Sequence, residues 1–372
     1  MAGSDVLPED HPSRRLADSA YLRAARCELT QRVPVWFQRQ AGRSLPEYRA
    51  LRGPGSILDA IADPATAAEI TLQPVRRYGV DAAVLFSDIV VPAAAIGFGI
   101  DVVPGVGPVA PEPLRRRADL DRLPPLDPQA HTPYVLETVR LLAAQLEVPL
   151  IGFAGAPFTV ASYLIEGQPS RQHLLTKALM HADAALWHDL MERLAGIAVA
   201  SMRSQVLAGA SAVQLFDSWA GALAPADYAE FVAPHSKRVF DELADLGVPR
   251  GHFGVGTGEL LDQMARVGAD VVGVDWRVPL GLARQRVGPD VALQGNLDPA
   301  LCLLDWPTVR TAADRILGEG TAAPGYIFNL GHGVLPETDP AVLERLVDHV
   351  HEFDPHGFDL AERQPSNASQ RE

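Results

Sequence analysis

Five arginines lie in residues 32–52, RVPVWFQRQAGRSLPEYRALR, against a single acid, Glu47, in a chain whose formal net charge is −14. Such a local reversal of charge is expected where a multiply anionic ligand is held despite repulsion from the rest of the molecule. Arginine suits this task because its guanidinium binds carboxylates or phosphates through two parallel hydrogen bonds. A solvated loop paired with distant acids is the commoner explanation of an Arg-rich stretch. The apolar run just before it, and Gly42 within it, favour a ligand site.

Asp88 stands two residues beyond a continuous apolar run, in FSDIVVP. A carboxylate at this position is either buried in a structural hydrogen-bond network or directed towards a ligand, and the spacing does not choose between the two. In the second case it would pair with N–H donors or with a cationic intermediate.

Two further candidate side chains, Tyr163 and Ser218, lie where a predicted strand leads to a helix. Tyr163 lies in GFAGAPFTVASYLIEG, and a tyrosine there is more often a core residue than a ligand contact. Ser218 follows an apolar run in VQLFDSWAG. Because the chain lacks the G-x-S-x-G elbow of serine hydrolases, Ser218 is interpreted as a hydrogen-bonding group and not as a nucleophile.

His332 lies between two glycines in FNLGHGVLPETDP, just past the last apolar run. This makes it a better ligand candidate than a histidine on an apolar helix face, although a lone histidine is usually structural. His252, His332 and the two cysteines show no zinc-site spacing, and no dinucleotide fingerprint follows an early strand. The sequence therefore predicts neither a metal nor an organic cofactor.

Eight short apolar runs alternate with segments of helical period, which is typical of a single-domain (β/α)₈ barrel; a doubly wound sheet is the alternative. The runs are VPVWF, VDAAVLF, VPLIGFA, SAVQLF, GHFGV, DVVGVD, VALQG and YIFNL, starting at residues 33, 80, 148, 211, 251, 270, 291 and 326. Helices are predicted over 63–78, 132–146, 172–207, 225–246, 258–267 and 340–353.

One catalytic domain is expected over residues 16–354, between a mobile N-terminal segment, 1–15, and a mobile tail, 355–372. Two Pro-rich stretches, VVPGVGPVAPEP and DRLPPLDPQAHTP, are interpreted as loop insertions on the barrel.

The charge and hydropathy of the chain limit the classes of partner that it can bind. The acidic balance argues against nucleic acid or an anionic membrane as the main partner, because both bind through excess cationic side chains. Every apolar stretch is shorter than the roughly 20 residues that span a bilayer. Cys27 and Cys302 are too few for a disulfide framework. A cytoplasmic protein that binds a small molecule is the expectation.

The motifs PVWFQRQAGRSLPEYR, FSDIVVP, GFAGAPFTVASYLIEG, VQLFDSWAG, QGNLDP and FNLGHGVLPETDP, in this order and spacing, closely resemble the uroporphyrinogen decarboxylase family of haem biosynthesis. The resemblance runs from about Val33 to Phe353. It implies a lyase of porphyrin biosynthesis that removes one carboxyl group from each of the four acetate arms of uroporphyrinogen III, giving coproporphyrinogen III. It also implies a distorted (β/α)₈ barrel, no metal or cofactor, and a homodimer.

The resemblance assigns the site residue by residue. It implies catalytic roles for Asp88, Arg39, Tyr163 and His332, with Asp88 contacting the pyrrole N–H groups. It implies substrate binding by these four and by Gln40, Ala41, Gly42, Arg43, Arg52 and Ser218. The chain differs from the usual family pattern at Gln38, where Met is common, and at Ser44, where Tyr is common.

Two other functions stay open at this point. A barrel methyltransferase of the same superfamily would resemble zinc enzymes with clustered His and Cys ligands. A non-catalytic tetrapyrrole carrier derived from the decarboxylase is the alternative that Gln38 leaves open.

Overall fold

The computed structural model describes residues 6–42, 44–53 and 55–355. Within them, seven parallel strands form one curled sheet in the order β1-β4-β5-β6-β7-β8-β9, and β2 and β3 form a separate antiparallel hairpin. The strands are β1 (Ala83–Val84), β2 (Asp101–Val103), β3 (Gly107–Val109), β4 (Leu150–Gly155), β5 (Ala212–Phe216), β6 (Arg250–Phe253), β7 (Val271–Gly273), β8 (Ala292–Leu297) and β9 (Tyr326–Leu330).

The first predicted strand closes this sheet into a ring. Val35 forms a parallel bridge with Phe328 of β9, and the Phe328 N–H donates to the Pro34 carbonyl at 2.8 Å. On its other side, the Val35 carbonyl accepts from the N–H of Asp81 at 2.8 Å, just before β1. Residues 34–36 therefore lie between the last and the first strand. The predicted (β/α)₈ barrel is confirmed, and ring closure excludes the doubly wound sheet.

Helices separate the strands and cover the outside of the ring. They are α1 (Pro12–Arg15), α2 (Ala20–Ala25), α3 (Pro46–Arg52), α4 (Ile57–Ala62), α5 (Pro64–Tyr78), α6 (Val91–Ala95), α7 (Pro128–His131), α8 (Pro133–Gln145), α9 (Pro157–Glu166), α10 (Leu174–Ala182), α11 (Ala184–Ala208), α12 (Pro225–Phe231), α13 (Ala233–Glu242), α14 (Leu261–Arg266), α15 (Leu280–Val287), α16 (Trp306–Gly320) and α17 (Pro340–Glu352).

Two predicted helices are broken, and local chemistry explains both breaks. The predicted helix 172–207 divides into α10 and α11 at Asp183, whose side chain accepts from the Leu186 N–H and so caps α11. The predicted helix 225–246 divides at Val232 because Pro234, in the first turn of α13, has no N–H to continue α12.

The first Pro-rich stretch forms the β2–β3 hairpin and the chain that follows it. This chain is tied to α9 and the residue after it: the Ala110 N–H donates to the Gly167 carbonyl and the Leu114 N–H to the Leu164 carbonyl, each at 2.8 Å. The insertion thus supports the helix that carries Tyr163.

The chain ends bear on the predicted domain limits. Residues 1–5 and 356–372 lie outside the described residues. In the rest of the N-terminal segment, Pro12–Arg15 is helical, and His11 is buried with its Nε2 2.8 Å from the Val206 carbonyl. Mobility of 1–15 and of the tail, and the limits of the domain, stay predictions. In the described part of the chain, no helix is long and apolar enough to cross a membrane.

Asp81, just before β1, stabilises the closure of the ring. Its carboxylate is buried and accepts from the Val35 N–H at 2.8 Å, from Arg32 at 2.5 Å and from His351 of α17 at 2.8 Å. One side chain therefore joins the closing segment, the first strand and the last helix.

We expect Asp81→Ala to lower the free energy of unfolding by about 3 kcal/mol, because it leaves a buried N–H and a histidine without their acceptor. Urea denaturation measures the change. Asp121→Ala, at an exposed aspartate, is the control and should stay within about 0.5 kcal/mol of the parent chain. Equal stability of the two variants would contradict the role of Asp81.

Candidate active site

The arginine-rich loop begins where the closing segment ends, and main-chain contacts anchor it on both sides. The Gln38 N–H donates to Asn329 Oδ1 at 3.1 Å, and the Gln38 carbonyl accepts from Val334 at 2.9 Å. The Gln40 side chain accepts from the Phe37 N–H at 2.9 Å and donates to the Ala82 carbonyl at 3.0 Å. The loop is thus fixed to the chain beyond β9 and to the chain before β1. Gln38 makes its anchoring contacts through the main chain, which the change from Met preserves.

Arg39 sits between these two anchors with φ at 58°, in the left-handed region that non-glycine residues rarely adopt. Its side chain runs against Gly333, where an added Cβ would come 2.5 Å from the Arg39 Cδ. Glycine is therefore required at 333 for Arg39 to reach its position. The contact brings Arg39 beside the loop that carries His332.

The remaining predicted ligands of this loop are placed unequally. Gly42 has φ at 133° and faces the ring of Tyr48, and Ala41 is half-buried. Arg43 lies outside the described residues. Arg52, in the last turn of α3, donates to the Gly55 carbonyl at 2.7 Å, in the turn that follows its own helix.

Asp88 lies in the loop that leads from β1 to α6. Its Oδ1 accepts from the Val90 N–H at 3.0 Å and its carbonyl accepts from Val91 at 3.2 Å, so the residue forms an Asx turn. The side chain is half-buried. The carboxylate is thus partly exposed and makes a local hydrogen bond, and its contact with a ligand stays a prediction.

Tyr163 is carried by α9, a helix that its sequence delimits. Pro157 begins it and Gly167, in the left-handed conformation, ends it. Burial raises the pKa of the Tyr163 phenol above its ordinary value, and a side-chain hydrogen bond with Trp219 lowers it. The Asp88 carboxylate raises this pKa further and the Arg39 guanidinium lowers it. The tyrosine therefore lies within electrostatic reach of both charged groups.

Ser218 and Trp219 stand in the loop after β5. The Trp219 ring meets the Tyr163 ring edge-on, with centroids 6.0 Å apart. Gly221 lets this loop pass close to the chain after β6, because a Cβ there would collide with the main chain of Val255 and Gly256. Ser218 is half-buried, directly before the tryptophan that contacts Tyr163.

His332 closes the group on the other side. Its ring stacks on Phe253 of β6, with centroids 6.3 Å apart at 27°. A row of phenylalanine rings continues to Phe216 and Phe153 at 6.2 Å and 5.3 Å. Phe153 and Phe216 are half-buried on strands whose other residues are buried, so both are partly exposed. This gives the site an apolar wall.

Two concavities of the described residues lie elsewhere. One of about 460 Å³ is lined by residues between Arg117 and Asp121 and by part of α11, and one of about 260 Å³ lies beside Trp276 and Arg315. Neither contains any predicted site residue. The candidate site is therefore defined by the strand-end side chains and not by these cavities.

Comparison with known proteins places the chain in a family. The family model described as uroporphyrinogen decarboxylase (URO-D) matches residues 16–353. The chain belongs to the uroporphyrinogen decarboxylase family. It is 60% identical over 338 residues to the uroporphyrinogen decarboxylase of Salinispora tropica, covering 91% of each chain. It is 59% identical over 345 residues to that of Streptomyces coelicolor, covering 92% of this chain and 97% of the relative.

A solved structure agrees with the fold. A methyltransferase from Methanosarcina mazei superposes with a TM-score of 0.70 at 19% identity, over 91% of this chain and 98% of that one. At this identity the likeness concerns the barrel alone. Within residues 6–42, 44–53 and 55–355, no three His, Cys, Asp or Glu side chains are grouped as ligands of a metal ion.

The structure brings the predicted catalytic residues and Ser218 to one end of the barrel. Arg43 lies outside the described residues, and the side chains of two other predicted binding residues are engaged in contacts within the chain. Gln40 has both ends of its side-chain amide committed to anchoring the loop. Arg52 has no described hydrogen bond to Asp88, Tyr163 or Ser218. Sequence reasoning missed Trp219 as a contact of Tyr163, although its place directly after a strand was a usable signal. It also missed the row of phenylalanines, which only the half-burial of β4 and β5 reveals.

We expect the charges around Tyr163 to be visible in its titration. Asp88→Asn removes a negative charge and should lower the pKa of Tyr163, whereas Arg39→Gln removes a positive charge and should raise it. NMR titration of tyrosine labelled at Cζ measures both shifts, with the resonance assigned from Tyr163→Phe. Asp59→Asn, at an exposed aspartate of α4, should leave the titration unchanged. A Tyr163 titration identical in all three variants would contradict the geometry described here.

Proposed function

We propose that the chain is a carboxy-lyase of porphyrin biosynthesis that converts uroporphyrinogen III into coproporphyrinogen III, releasing one carbon dioxide from each of the four acetate arms. The observation that carries this proposal is the placement of Asp88 beside Tyr163 and Arg39 at the strand ends. The chain holds this arrangement while it is 60% identical to a protein named for this reaction.

Binding of the substrate follows from charge. Uroporphyrinogen carries eight carboxylates, and the arginine-rich loop supplies cations where the rest of a chain of net charge −14 would repel them. Arg39 and Arg43 bind carboxylate arms, and Arg52 adds a further positive charge. Ala41, Gly42 and the main chain of Gln40 line the approach, while Ser218 and His332 donate hydrogen bonds. The half-buried Phe153 and Phe216 offer an apolar surface to the ring system.

The chemistry needs a place for an electron pair. Loss of carbon dioxide from an acetate arm leaves two electrons at the arm's carbon, and prior protonation of the neighbouring pyrrole carbon creates a delocalised cation that accepts them. Protonation of the arm's carbon then gives the methyl group, and loss of the proton from the ring carbon restores the pyrrole. Asp88, fixed by its Asx turn, stabilises this cation through the pyrrole N–H groups, an interaction stronger in the charged intermediate than in the substrate. Because the electron sink lies within the substrate, the reaction proceeds without a cofactor.

The proton donor is one of three side chains or bound water. Burial and Asp88 raise the pKa of Tyr163 and keep its phenol protonated at neutral pH, where it is a weak acid. Arg39 is a poor proton donor, because a guanidinium stays charged in proteins. His332 is the side chain whose ordinary pKa lies nearest to neutrality.

Two other functions make different predictions. A tetrapyrrole carrier would bind uroporphyrinogen and leave its eight carboxyl groups intact. A zinc-dependent methyltransferase would lose activity on exhaustive chelation. Anaerobic incubation with uroporphyrinogen, followed by separation of products by carboxyl number, distinguishes the decarboxylase from both.

We expect Asp88→Asn to lower turnover at least about tenfold, the ~1.4 kcal/mol that corresponds to one lost electrostatic contact in the transition state. Anaerobic product analysis over time gives kcat and KM. Asp59→Asn is the matched control and should retain the parent kinetics. Normal turnover by the Asp88→Asn variant would remove Asp88 from the mechanism.

Arg43→Ala provides the contrast within the same assay. Loss of a carboxylate grip should raise KM with little change in kcat, because the arm is bound in the substrate and in the transition state alike. Equal effects of the two variants on kcat would contradict the division between binding by arginine and stabilisation by Asp88.

We also propose that the chain forms a homodimer and works in the cytoplasm, as the family resemblance implies. Multi-angle light scattering should give twice the chain mass of 39.9 kDa across micromolar concentrations. A mass that stays at one chain throughout that range would overturn the dimer.

A further inference from the structure

Asp217 is a fully buried carboxylate directly before Ser218, and the proposed chemistry does not use it. Its Oδ1 accepts from the hydroxyl of Thr159 at 2.8 Å, and its Oδ2 lies 3.8 Å from Nε2 of the equally buried His252. Burying a carboxylate with so little hydrogen bonding is costly. A group kept at such a cost at the edge of a site calls for a functional explanation.

The Thr159 hydroxyl is the centre of this cluster. Its proton is directed to Asp217, so its oxygen lone pairs remain for the N–H of Trp219, which donates to it at 3.2 Å. A carboxylate acceptor strengthens the first of these bonds. One hydroxyl thus clamps both the first and the third residue of the Asp217-Ser218-Trp219 loop.

Thr159 also belongs to α9, the helix of Tyr163. Residues four apart on a helix lie on the same face, so Thr159 and Tyr163 both face this loop. At the Tyr163 end, the Trp219 ring meets the phenol ring edge-on at 6.0 Å. The loop and the helix are therefore joined at two points one helical turn apart.

We propose that Asp217, acting through Thr159, is a positioning residue that locks the Ser218-Trp219 loop to α9 and holds Tyr163 at the reaction centre. Neither Asp217 nor Thr159 touches the substrate in this arrangement. The kinetic part of the proposal rests on the decarboxylase function, whereas the locking of the loop does not.

The test compares two substitutions of Thr159. Thr159→Val has nearly the same shape but removes both hydrogen bonds, and it should lower kcat about tenfold with KM changed less than about twofold. Thr159→Ser restores the hydroxyl and should return kcat to within about twofold of the parent. Thr138→Val, a buried threonine of α8 whose hydroxyl bonds only within its own helix, controls for the loss of a buried hydroxyl.

A double-mutant cycle tests the route through the tyrosine. In a Tyr163→Phe background, Thr159→Val should cost much less than it does alone, because the group it positions is already gone. Losses that multiply fully would show that Thr159 does not act through Tyr163 and would overturn the proposal.

Hydrogen exchange tests the lock without any enzyme assay. Peptides covering residues 217–221 should exchange at least about fivefold faster in Thr159→Val than in the parent chain, with Thr159→Ser and Thr138→Val unchanged. Asp217→Asn should move exchange and kcat in the same direction, because an amide is a weaker acceptor for the hydroxyl than a carboxylate.

The kinetic test and the hydrogen-exchange test distinguish failure of the positioning proposal from failure of the proposed function. Parent-like exchange and parent-like kcat in both Thr159→Val and Asp217→Asn would overturn the proposal. A parent chain that exchanges as expected but does not decarboxylate uroporphyrinogen would overturn the proposed function and leave the lock supported.

Discussion

The site depends on the closure of the barrel at its first segment. Because residues 34–36 lie between β9 and the chain before β1, the loop that carries Arg39 lies between the loops of His332 and Asp88. The next neighbours in the ring are β4, which leads to the helix of Tyr163, and β5, which leads to Ser218. Five consecutive members of the ring thus deliver the catalytic and binding candidates to one side of the barrel mouth. The Asp81 carboxylate joins the closing segment and the last helix just before the first strand, and so supports this arrangement.

Side chains of opposite charge lie together at this side of the barrel mouth. The arginine loop concentrates positive charge in a chain that is acidic overall, as the proposed binding of a polyanion requires. Asp88 is the exception, and its proposed role is to stabilise the positive charge that develops on the substrate ring. Asp88 raises the pKa of Tyr163 and Arg39 lowers it, so both charges act on the same phenol. In the proposed mechanism, attraction of the ligand and stabilisation of its intermediate are divided between these residues.

Several residues in the motifs make contacts within the chain that hold the loops of the site together. Gly333 makes room for the stem of Arg39, and Gly221 allows two strand-end loops to touch. The side-chain amide of Gln40 bonds to the main chain of Phe37 and of Ala82. The Thr159 hydroxyl joins α9 to the loop after β5. Such contacts position the loops and the helix that carry the candidate site residues.

The sequence by itself determined the order of strands and helices and most of the candidate residues. Apolar runs that end in polar or glycine residues mark buried strands and their ends, and such local patterns can be recognised in a single sequence. The helix breaks at Asp183 and Val232 follow from local capping and from Pro234. The anchoring role of Gln40 and the half-buried wall of Phe153 and Phe216 were decided only by the tertiary structure. So was the meeting of Thr159 with Asp217, two residues 58 positions apart. The physical reason is that a side chain's partner is set by which strands become neighbours when the ring closes, and spacing along the chain does not encode that contact.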